Sequence, residues 1–398
     1  MKKFALGMIL FGTICITACG KSNQESDQQK EVKIAVKEDE NGETKEVKLD
    51  LEKYSLEYKA ESDQKNTFVW NMMASSDLGY YMFGKGEYEN MLLFMDKKSG
   101  VVVPLCNKPN CEHEASDECD AYYPGIGIET SCYDNNWLQY YEGKIYTIGC
   151  DGDGYVNLYE AEADGSNRTV STSLYRINVK GNSKFQTPKL AIHRGNVYFI
   201  NPNNEKPKLE MVKLGEKKEP VLLYEEKGTY PSMYRIEAYG DYVFFQSGHF
   251  EDEEMTNILG SIYAYNTKNN EVTCVKSGAV SSYMIEGDIL YYGTDCGIQA
   301  FDLKTQKEET CVETKEAYPD FTVCQEHIYI YGESGIDAYG IDGKLVASAA
   351  VTNGPVEYYY GDGEYIFAVG SNEQDMRLLT IQEFLEKNGV WKTMHVSR

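Results

Sequence analysis

Three cysteines and one histidine fall within fourteen residues of one another. They are Cys106, Cys111, His113 and Cys119, with the spacing C-x4-C-x-H-x5-C. Thiolate sulfur and imidazole nitrogen are the ligands of structural zinc sites, and four such ligands can close a tetrahedral site. A site with four protein ligands has no open position, so it would be structural rather than catalytic. Two other interpretations stay open: a disulfide staple and free thiols.

The other cysteines bear on this choice. The chain contains 11 cysteines. One lies in a predicted signal peptide, one is a predicted lipidation site, and four belong to later repeats, where we interpret them as thiols. An all-disulfide scheme among the remaining five leaves one unpaired, whereas a zinc site leaves an even pair. We therefore predict a structural zinc ion, no other cofactor, and a disulfide, or at least proximity, between Cys132 and Cys150.

Other candidate sites are weaker. Asp151-Gly152-Asp153-Gly154 has residue types found in calcium loops, but it falls where a turn is expected. A hydrolase needs a nucleophile, a base and an orienting group. The sequence has no Gly-x-Ser-x-Gly, and its five histidines are scattered. His193 and His327 lie near strand ends and favour structural roles, while His249 lies in an acidic stretch and is expected to be solvated.

A short motif repeats seven times and predicts the elements that carry these residues. Its clearest copy is Gly-Asp followed by Tyr-Val-Phe-Phe, a turn that leads into an apolar strand. The copies begin 37 to 64 residues apart, about 47 on average, a spacing typical of propellers and solenoids. The seven copies begin at Gly79, Gly143, Gly195, Gly240, Gly287, Glu326 and Gly363.

Each repeat also contains strand patterns on either side of this motif. In the fourth repeat, strands are predicted at residues 234–239, 242–246, 261–265 and 271–275. Four strands per repeat make a propeller blade. The sequence therefore predicts an all-β, seven-bladed propeller over residues 62–398, with a Cys-rich insert at 106–136.

The two ends of the propeller have their own patterns. Residues 382–388 read as a short helix stopped by Gly389, and residues 390–396 as the last outer strand. Residues 67–71 can supply the first strand of the first blade. The ring is therefore expected to close without a blade shared between the two ends.

The start of the chain indicates export. Lys2 and Lys3 precede an apolar stretch at residues 4–16. The sequence Ile16-Thr17-Ala18-Cys19 then resembles the bacterial lipobox, in which the cysteine becomes the lipid-bearing N-terminus. We predict a signal peptide at 1–18 and a palmitate-bearing Cys19. Residues 19–61 are predicted as a tether, whose later part forms a hairpin around Asn41-Gly42 or stays loosely ordered.

The composition limits the kinds of molecule that the protein is expected to bind. A formal charge of -24 argues against nucleic-acid binding through broad electrostatics. The chain has 33 Tyr and 14 Phe, residues that suit half-buried strands and binding surfaces. No apolar run after the signal is long enough to span a bilayer. The expected location is the extracytoplasmic face of the cell membrane, held through the lipid anchor.

The lipobox, the Tyr-rich repeats and the Cys-rich segment after the first blade together resemble a known family. They look like uncharacterised lipoproteins of Gram-positive anaerobes that carry a TolB-like β-propeller of unknown function. The resemblance covers most of the chain after the signal and implies a propeller fold. The resemblance implies no particular activity.

Propeller topology predicts where a ligand would bind. Loops from an outer strand to the next inner strand, and from a second to a third strand, emerge on one face. Aromatic residues crowd the beginnings of several inner strands, where a ligand could stack on them. The same aromatics would also suit packing between blades. The candidate ligand-binding residues are Tyr230, Tyr234, Arg235, Tyr283, Tyr318 and Tyr358.

Three functions remain compatible with these features. The leading hypothesis is a lipid-anchored binding or interaction module for a protein, peptide or glycan, which is not an enzyme. The alternatives are an enzyme acting on carbohydrate or peptide in the propeller funnel and a structural component of an envelope assembly. An enzyme would show converging acids or histidines, a binder mainly aromatics, and an assembly component a large apolar patch.

Overall fold

The computed structural model describes residues 33–34, 45–64, 73–124, 132–177, 187–202, 206–226, 231–250, 258–278, 282–314, 319–332, 335–350, 356–370, 376–387 and 389–397. By its contacts the chain divides into Met1–Glu31 and Val32–Arg398. The predicted signal peptide, Cys19 and the turn at Asn41-Gly42 lie outside the described residues. Among the described residues, no helix is long and apolar enough to cross a membrane.

Blades 1 to 4 follow one another along the chain, each an antiparallel sheet of four strands in sequence order. Their strands are β2 (Met73–Ser75), β3 (Gly79–Phe83), β4 (Leu92–Asp96) and β5 (Val102–Pro104); β6 (Cys132–Tyr141), β7 (Lys144–Cys150), β8 (Tyr155–Glu162) and β9 (Thr169–Arg176); β10 (Lys189–His193), β11 (Asn196–Asn201), β12 (Lys208–Lys213) and β13 (Val221–Glu225); and β14 (Pro231–Tyr239), β15 (Tyr242–Phe250), β16 (Ile258–Asn266) and β17 (Glu271–Ser277). A short 3-10 helix, Gly86–Tyr88, follows β3. Strand β1 (Lys33–Ile34) pairs in parallel with β17 as a fifth strand of blade 4.

Blades 5 to 7 repeat the pattern to the end of the chain. Their strands are β18 (Tyr283–Glu286), β19 (Ile289–Thr294), β20 (Gly297–Asp302) and β21 (Glu308–Glu313); β22 (Asp320–Cys324), β23 (His327–Gly332), β24 (Gly335–Gly340) and β25 (Leu345–Ala350); and β26 (Val356–Gly361), β27 (Tyr365–Gly370), β28 (Met376–Thr380) and β29 (Lys392–Thr393). The predicted all-β, seven-bladed propeller is confirmed, and all seven repeated motifs form second strands.

The apolar second strands are explained by burial on both faces. In β15, Val243 and Phe245 pack into the core between blades 3 and 4, whereas Tyr242 and Phe244 pack into the core between blades 4 and 5. Successive side chains of a strand point to opposite faces, so each blade serves two cores. Seven buried clusters fill the seven blade interfaces, including the one between blades 7 and 1.

The ring closes between separate end blades, as predicted. Helix α1 (Ile381–Leu385) begins at a capping box in which Thr380 Oγ1 accepts from Glu383 N at 3.1 Å. After β29, Val396 bridges Val102 of β5, and Ser397 N donates to Val102 O at 2.7 Å. Blade 1 begins at β2, while residues 67–71, the predicted first strand, lie outside the described residues.

Residues 45–64, most of which fall within the predicted tether, lie against the propeller. Leu49 is buried in the core between blades 4 and 5, and Val47 N donates to Cys274 O at 2.8 Å. The segment also contacts the Gly240-Asp241 turn of blade 4, where Asp241 N donates to Ser55 O at 2.7 Å. A Cβ at Gly240 would lie 2.2 Å from Ser55 O, so glycine is required at that contact.

Candidate metal centre and binding face

The Cys-rich loop leaves blade 1 directly after β5 and is held to that blade at both ends. Leu105 N donates to Leu92 O at 2.8 Å, and Leu92 N donates to Ala121 O at 2.7 Å. Tyr123 N donates to Asn90 O at 2.8 Å. Both ends of the loop are therefore hydrogen-bonded to the beginning of β4, so the residues between them form a closed loop.

Within this loop the four predicted ligands are the residues that turn inward. Cys119 is buried and Cys106, Cys111 and His113 are half-buried, whereas residues 107–110 and 114–118 are exposed. The three sulfurs and a histidine nitrogen all lie within 4.8 Å of one another. Cys119 Sγ and His113 Nδ1 are 3.9 Å apart. Neighbouring ligand atoms of a tetrahedral zinc site lie about 3.5–3.8 Å apart, so small shifts would complete the site.

The backbone of the loop favours the thiolate form of one of the three cysteines, Cys106. Burial opposes ionisation of Cys106, but backbone N–H groups of Lys108 and Asp120 outweigh it and lower its pKa. Burial, with the neighbouring Cys111 and Cys106, raises the pKa of Cys119 to about 12. Three converging thiolates repel one another, and a divalent cation at their centre removes that repulsion. The cluster can therefore hold a metal ion, and its three cysteines are thiols in this structure.

The predicted pair Cys132 and Cys150 lies directly opposite across β6 and β7, where the two are register partners. Directly opposed residues of an antiparallel pair have Cα atoms about 4.5–5.5 Å apart. That separation falls within the range that disulfides span. The backbone positions are thus brought together, and the covalent bond stays a prediction.

The predicted binding face lies where inner strands begin and second strands end, as at the register partners Pro231 and His249 of blade 4. We call it the binding face. Tyr234 and Arg235 lie on β14 and are half-buried, and Tyr283 lies on β18 and is fully buried. Tyr358 lies on β26, but its side chain is outside the described residues, as are Tyr230 and Tyr318 altogether.

Arg235 and Tyr283, from neighbouring inner strands, are brought into contact. The Arg235 guanidinium lies over the Tyr283 ring, with its carbon 5.4 Å from the ring centroid. Arg235 Nε donates to Glu237 Oε1 at 2.5 Å, and Tyr239 OH donates to Glu237 Oε2 at 2.6 Å. Tyr239 OH also accepts from Ile285 N at 3.2 Å. The guanidinium is therefore fixed by a carboxylate on one side and an aromatic ring on another.

Both tyrosines of this group keep their protons. Burial, followed by the charge of Glu237, raises the pKa of Tyr239 and of Tyr283 well above the usual value. Each hydroxyl is thus a hydrogen-bond donor over the whole physiological range. Tyr239 uses its proton on Glu237, whereas the buried Tyr283 hydroxyl has no partner among the described residues.

A second polar group on the binding face was not predicted. Buried Glu226 accepts from Tyr224 OH at 2.9 Å and from Ser247 Oγ at 2.5 Å. His249 Nδ1 lies 3.5 Å from Glu226 Oε1. His249 is half-buried beside this carboxylate, so the expectation that it is simply solvated is wrong. Glu226 follows β13 and His249 lies one residue before the end of β15, and no sequence pattern links residues of neighbouring blades in this way.

The remaining candidates have structural roles. Asp151 Oδ1 accepts from Asp153 N at 3.1 Å and from Tyr155 N at 2.9 Å, so this carboxylate shapes a turn, as predicted. His193 is fully buried: its Nε2 lies 2.8 Å from Gly240 O and its Nδ1 accepts from Gln64 N at 3.4 Å. His327 Nδ1 lies 2.7 Å from Gln325 O. These contacts confirm the structural interpretation of both histidines.

No protein-family model matches the chain, and no curated protein matches it. Solved structures match, and they are β-propeller proteins. A prolyl endopeptidase structure has a TM-score of 0.53 at 11% identity, covering 85% of this chain and 51% of the other. This chain thus spans about half the length of that endopeptidase.

Two further matches are propellers of similar length. A Pseudomonas aeruginosa periplasmic gluconolactonase matches with a TM-score of 0.49 at 9% identity, covering 80% of this chain and 95% of the other. A putative 6-phosphogluconolactonase from Bacteroides uniformis matches with a TM-score of 0.44 at 12% identity, covering 81% of this chain and 92% of the other. At these identities the likeness is one of fold alone.

Proposed function

We propose that the protein is a lipid-anchored, extracytoplasmic propeller that binds a protein, peptide or glycan ligand on its binding face. The observation that carries this proposal is the group formed by Arg235, Glu237 and Tyr283. A charged side chain is held there in a fixed orientation by neighbouring inner strands, beside aromatic rings. Such preorganised polar groups among aromatics are typical of ligand sites.

The balance of charges at this group favours binding over acid-base chemistry. Glu237 is the carboxylate of the group, and its two oxygens accept hydrogen bonds from Arg235 and Tyr239. A carboxylate engaged in this way is poorly placed to take a proton from a substrate. Tyr234, half-buried at the beginning of the same strand, adds an aromatic surface.

We further propose that the Cys106, Cys111, His113 and Cys119 cluster holds a structural zinc ion. Three soft sulfur ligands and one imidazole within 4.8 Å of one another suit zinc better than oxygen-seeking cations such as calcium. A loop whose other residues are largely exposed has little apolar surface to order it. Metal binding would supply that folding energy directly.

The proposed anchoring rests on the lipobox and on Cys19. The membrane is then a partner through the lipid alone, and the charge of -24 keeps the propeller from binding nucleic acid. A Cys19→Ala chain should leave the membrane fraction of a cell that processes lipoproteins. Full retention in that fraction would contradict the anchor.

Binding can be tested with the mature chain on glycan and peptide arrays. Tyr234→Ala is expected to lower the affinity for the best array ligand at least tenfold, because it removes an aromatic surface of the binding face. Tyr58→Ala is the control, since Tyr58 is exposed on the segment that packs at the opposite ends of the blades. Equal losses in both variants, or none, would place the site elsewhere.

A second candidate function is hydrolysis of a carbohydrate or peptide ligand on the same face. It is favoured by the contact of His249 with the buried Glu226, since a carboxylate that orients a histidine is part of many catalytic sites. His249→Gln should then abolish turnover of an array ligand while leaving its binding intact. Unchanged turnover, or no turnover in the wild type, leaves binding as the function.

A further inference from the structure

The hydrogen-bonding capacity of Arg235 is only partly used within the protein. Its Nε donates to Glu237, and among the described residues its two terminal nitrogens have no hydrogen-bonding partner. The Arg235 side chain is 19% exposed, so part of it reaches solvent. A guanidinium presents its terminal donors as a planar fork, which matches two oxygens of one acceptor group.

The unpartnered hydroxyl of Tyr283 lies in the same group. A buried hydroxyl without a partner costs about 1–3 kcal/mol, so its presence calls for a reason. Tyr283 is 0% exposed and its ring supports the guanidinium. The high pKa of this hydroxyl keeps its proton available for donation. Two donors of Arg235 and one of Tyr283 are therefore without a partner among the described residues, on two side chains that are in contact.

The charge of the group limits what can occupy it. Glu237 already balances Arg235, and the whole chain carries -24. A dianion such as phosphate would meet stronger repulsion from Glu237 at short range than a singly charged acceptor, and the two planar oxygens of a carboxylate match the guanidinium fork. Half-buried Tyr234, the residue before Arg235, can offer an aromatic ring to the rest of the ligand.

We infer that Arg235 and Tyr283 form the subsite for a carboxylate of the ligand, supplied either by an acidic sugar or by the C-terminus of a peptide. This inference rests on the proposed binding function and names the ligand chemistry of that site. The carboxylate accepts from the guanidinium fork and from the Tyr283 hydroxyl. Glu237 and Tyr239 act as positioning residues, because they hold Arg235 in place.

The test compares acids with matched neutral compounds on the mature, full propeller. One arm titrates D-glucuronate oligosaccharides against the corresponding neutral glucose oligosaccharides. The other titrates short peptides with a free C-terminus against the same peptides with a C-terminal amide. In the arm that supplies the natural chemistry, the acid is expected to bind at least tenfold more tightly than its neutral partner.

Two variants assign the preference to the subsite. Arg235→Lys keeps the positive charge and loses the planar fork, so it should lower the affinity for the acidic compound about tenfold. Tyr283→Phe removes only the unpartnered hydroxyl. The unfolding temperature should therefore stay unchanged, while the affinity for the acidic compound falls several-fold. Arg176→Lys and Tyr155→Phe alter another arginine-tyrosine stack, with a 5.0 Å separation on blade 2, and serve as controls without effect.

The outcomes separate this inference from the proposed function. If acids and neutral partners bind equally, and Tyr234→Ala weakens both, binding on this face stands and the carboxylate subsite is refuted. An acid preference that survives both Arg235→Lys and Tyr283→Phe also refutes the subsite. If no compound of either arm binds and the arrays reveal no ligand, the proposed function fails together with the inference.

Discussion

Glu326 occupies a left-handed backbone position that glycine fills in two other blades. Gln325 and Glu326 form the two-residue turn between β22 and β23, with φ values of 51° and 62°. In blades 2 and 3 the same turn ends in Gly143 and Gly195, with φ values of 82° and 71°. A side chain in this conformation costs free energy that glycine avoids. The sixth repeat thus keeps the turn although it lacks the glycine of the motif.

Glu326→Gly is therefore expected to stabilise the propeller by about 0.5–1 kcal/mol in urea unfolding. As a control, Glu313→Gly places glycine in the exposed outer strand β21, where it should destabilise by a similar amount. If Glu326→Gly lowers the free energy of unfolding, the left-handed turn is not the source of strain in this hairpin.

The cluster of Cys106, Cys111, His113 and Cys119 is expected to bind zinc in the purified protein. The purified chain should contain about one zinc ion per molecule by elemental analysis, because the four ligands lie within 4.8 Å of one another. His113→Ala should lose that zinc on dialysis against a mild chelator, while His395→Ala, an exposed histidine outside the cluster, should retain it. A metal-free wild type with Cys106, Cys111 or Cys119 in a disulfide would refute the zinc site.

The segment at residues 45–64 acts as an element that ties the turns of blades 3 and 4 together. Arg194, in the turn of blade 3, donates from Nε to Asp63 Oδ1 at 2.6 Å and pairs with Asp241 in the turn of blade 4. The Asp63 side chain is only 1% exposed, against 16% for Arg194. Removing one partner of such a pair leaves charge uncompensated, which is destabilising.

This network predicts acid sensitivity. Burial opposes ionisation of both carboxyl groups, but hydrogen bonds outweigh it and lower both pKa values. The Asp63 carboxylate accepts from Arg194, and the Asp241 carboxylate accepts from Ser55 N and Arg194. A lowered folded-state pKa gives stability that is fully present above the unfolded value, about 3.9, and is lost as pH falls through the folded value. The segment should therefore loosen in acid.

Asp63→Asn is expected to cost about 1–3 kcal/mol at pH 7 in urea unfolding. The difference from wild type should shrink below about pH 4, where the wild-type carboxylate also becomes neutral. Asp77→Asn, at an exposed position, serves as the matched control and should have little effect. A cost that is the same at pH 3 and pH 7 would show that the ion pair does not stabilise the fold.

The elements that could be predicted from sequence are those specified locally. Second strands follow from turn residues and an apolar run, and the Cys-rich cluster follows from ligands within one loop. The packing of Leu49 and the Arg194–Asp63 pair could not be predicted, because their partners lie far away in sequence. The same holds for Glu226 and His249, which belong to adjacent blades. Arg235 and Tyr283 were placed on one face by topology, but their contact needed the structure.

At the scale of the whole molecule, ring closure and the metal loop share one interface. The core between blades 7 and 1 includes buried Cys119, with Cys106 and Cys111 packed against it. Met394 and Val396 of the closing segment pack on the same core. The loop therefore lies against the interface where the ring closes, whereas β14 and β18, which carry Arg235 and Tyr283, belong to blades 4 and 5.

Amide hydrogen exchange with and without a bound ligand can show whether the ligand binds on the binding face. With the best array ligand, we expect slower exchange at the start of β14 and at β18, which carry Tyr234, Arg235 and Tyr283. Residues 54–64, which lie at the turns between first and second strands, should exchange as they do without ligand. Protection confined to residues 54–64, or to the Cys-rich loop, would contradict ligand binding on the face proposed here.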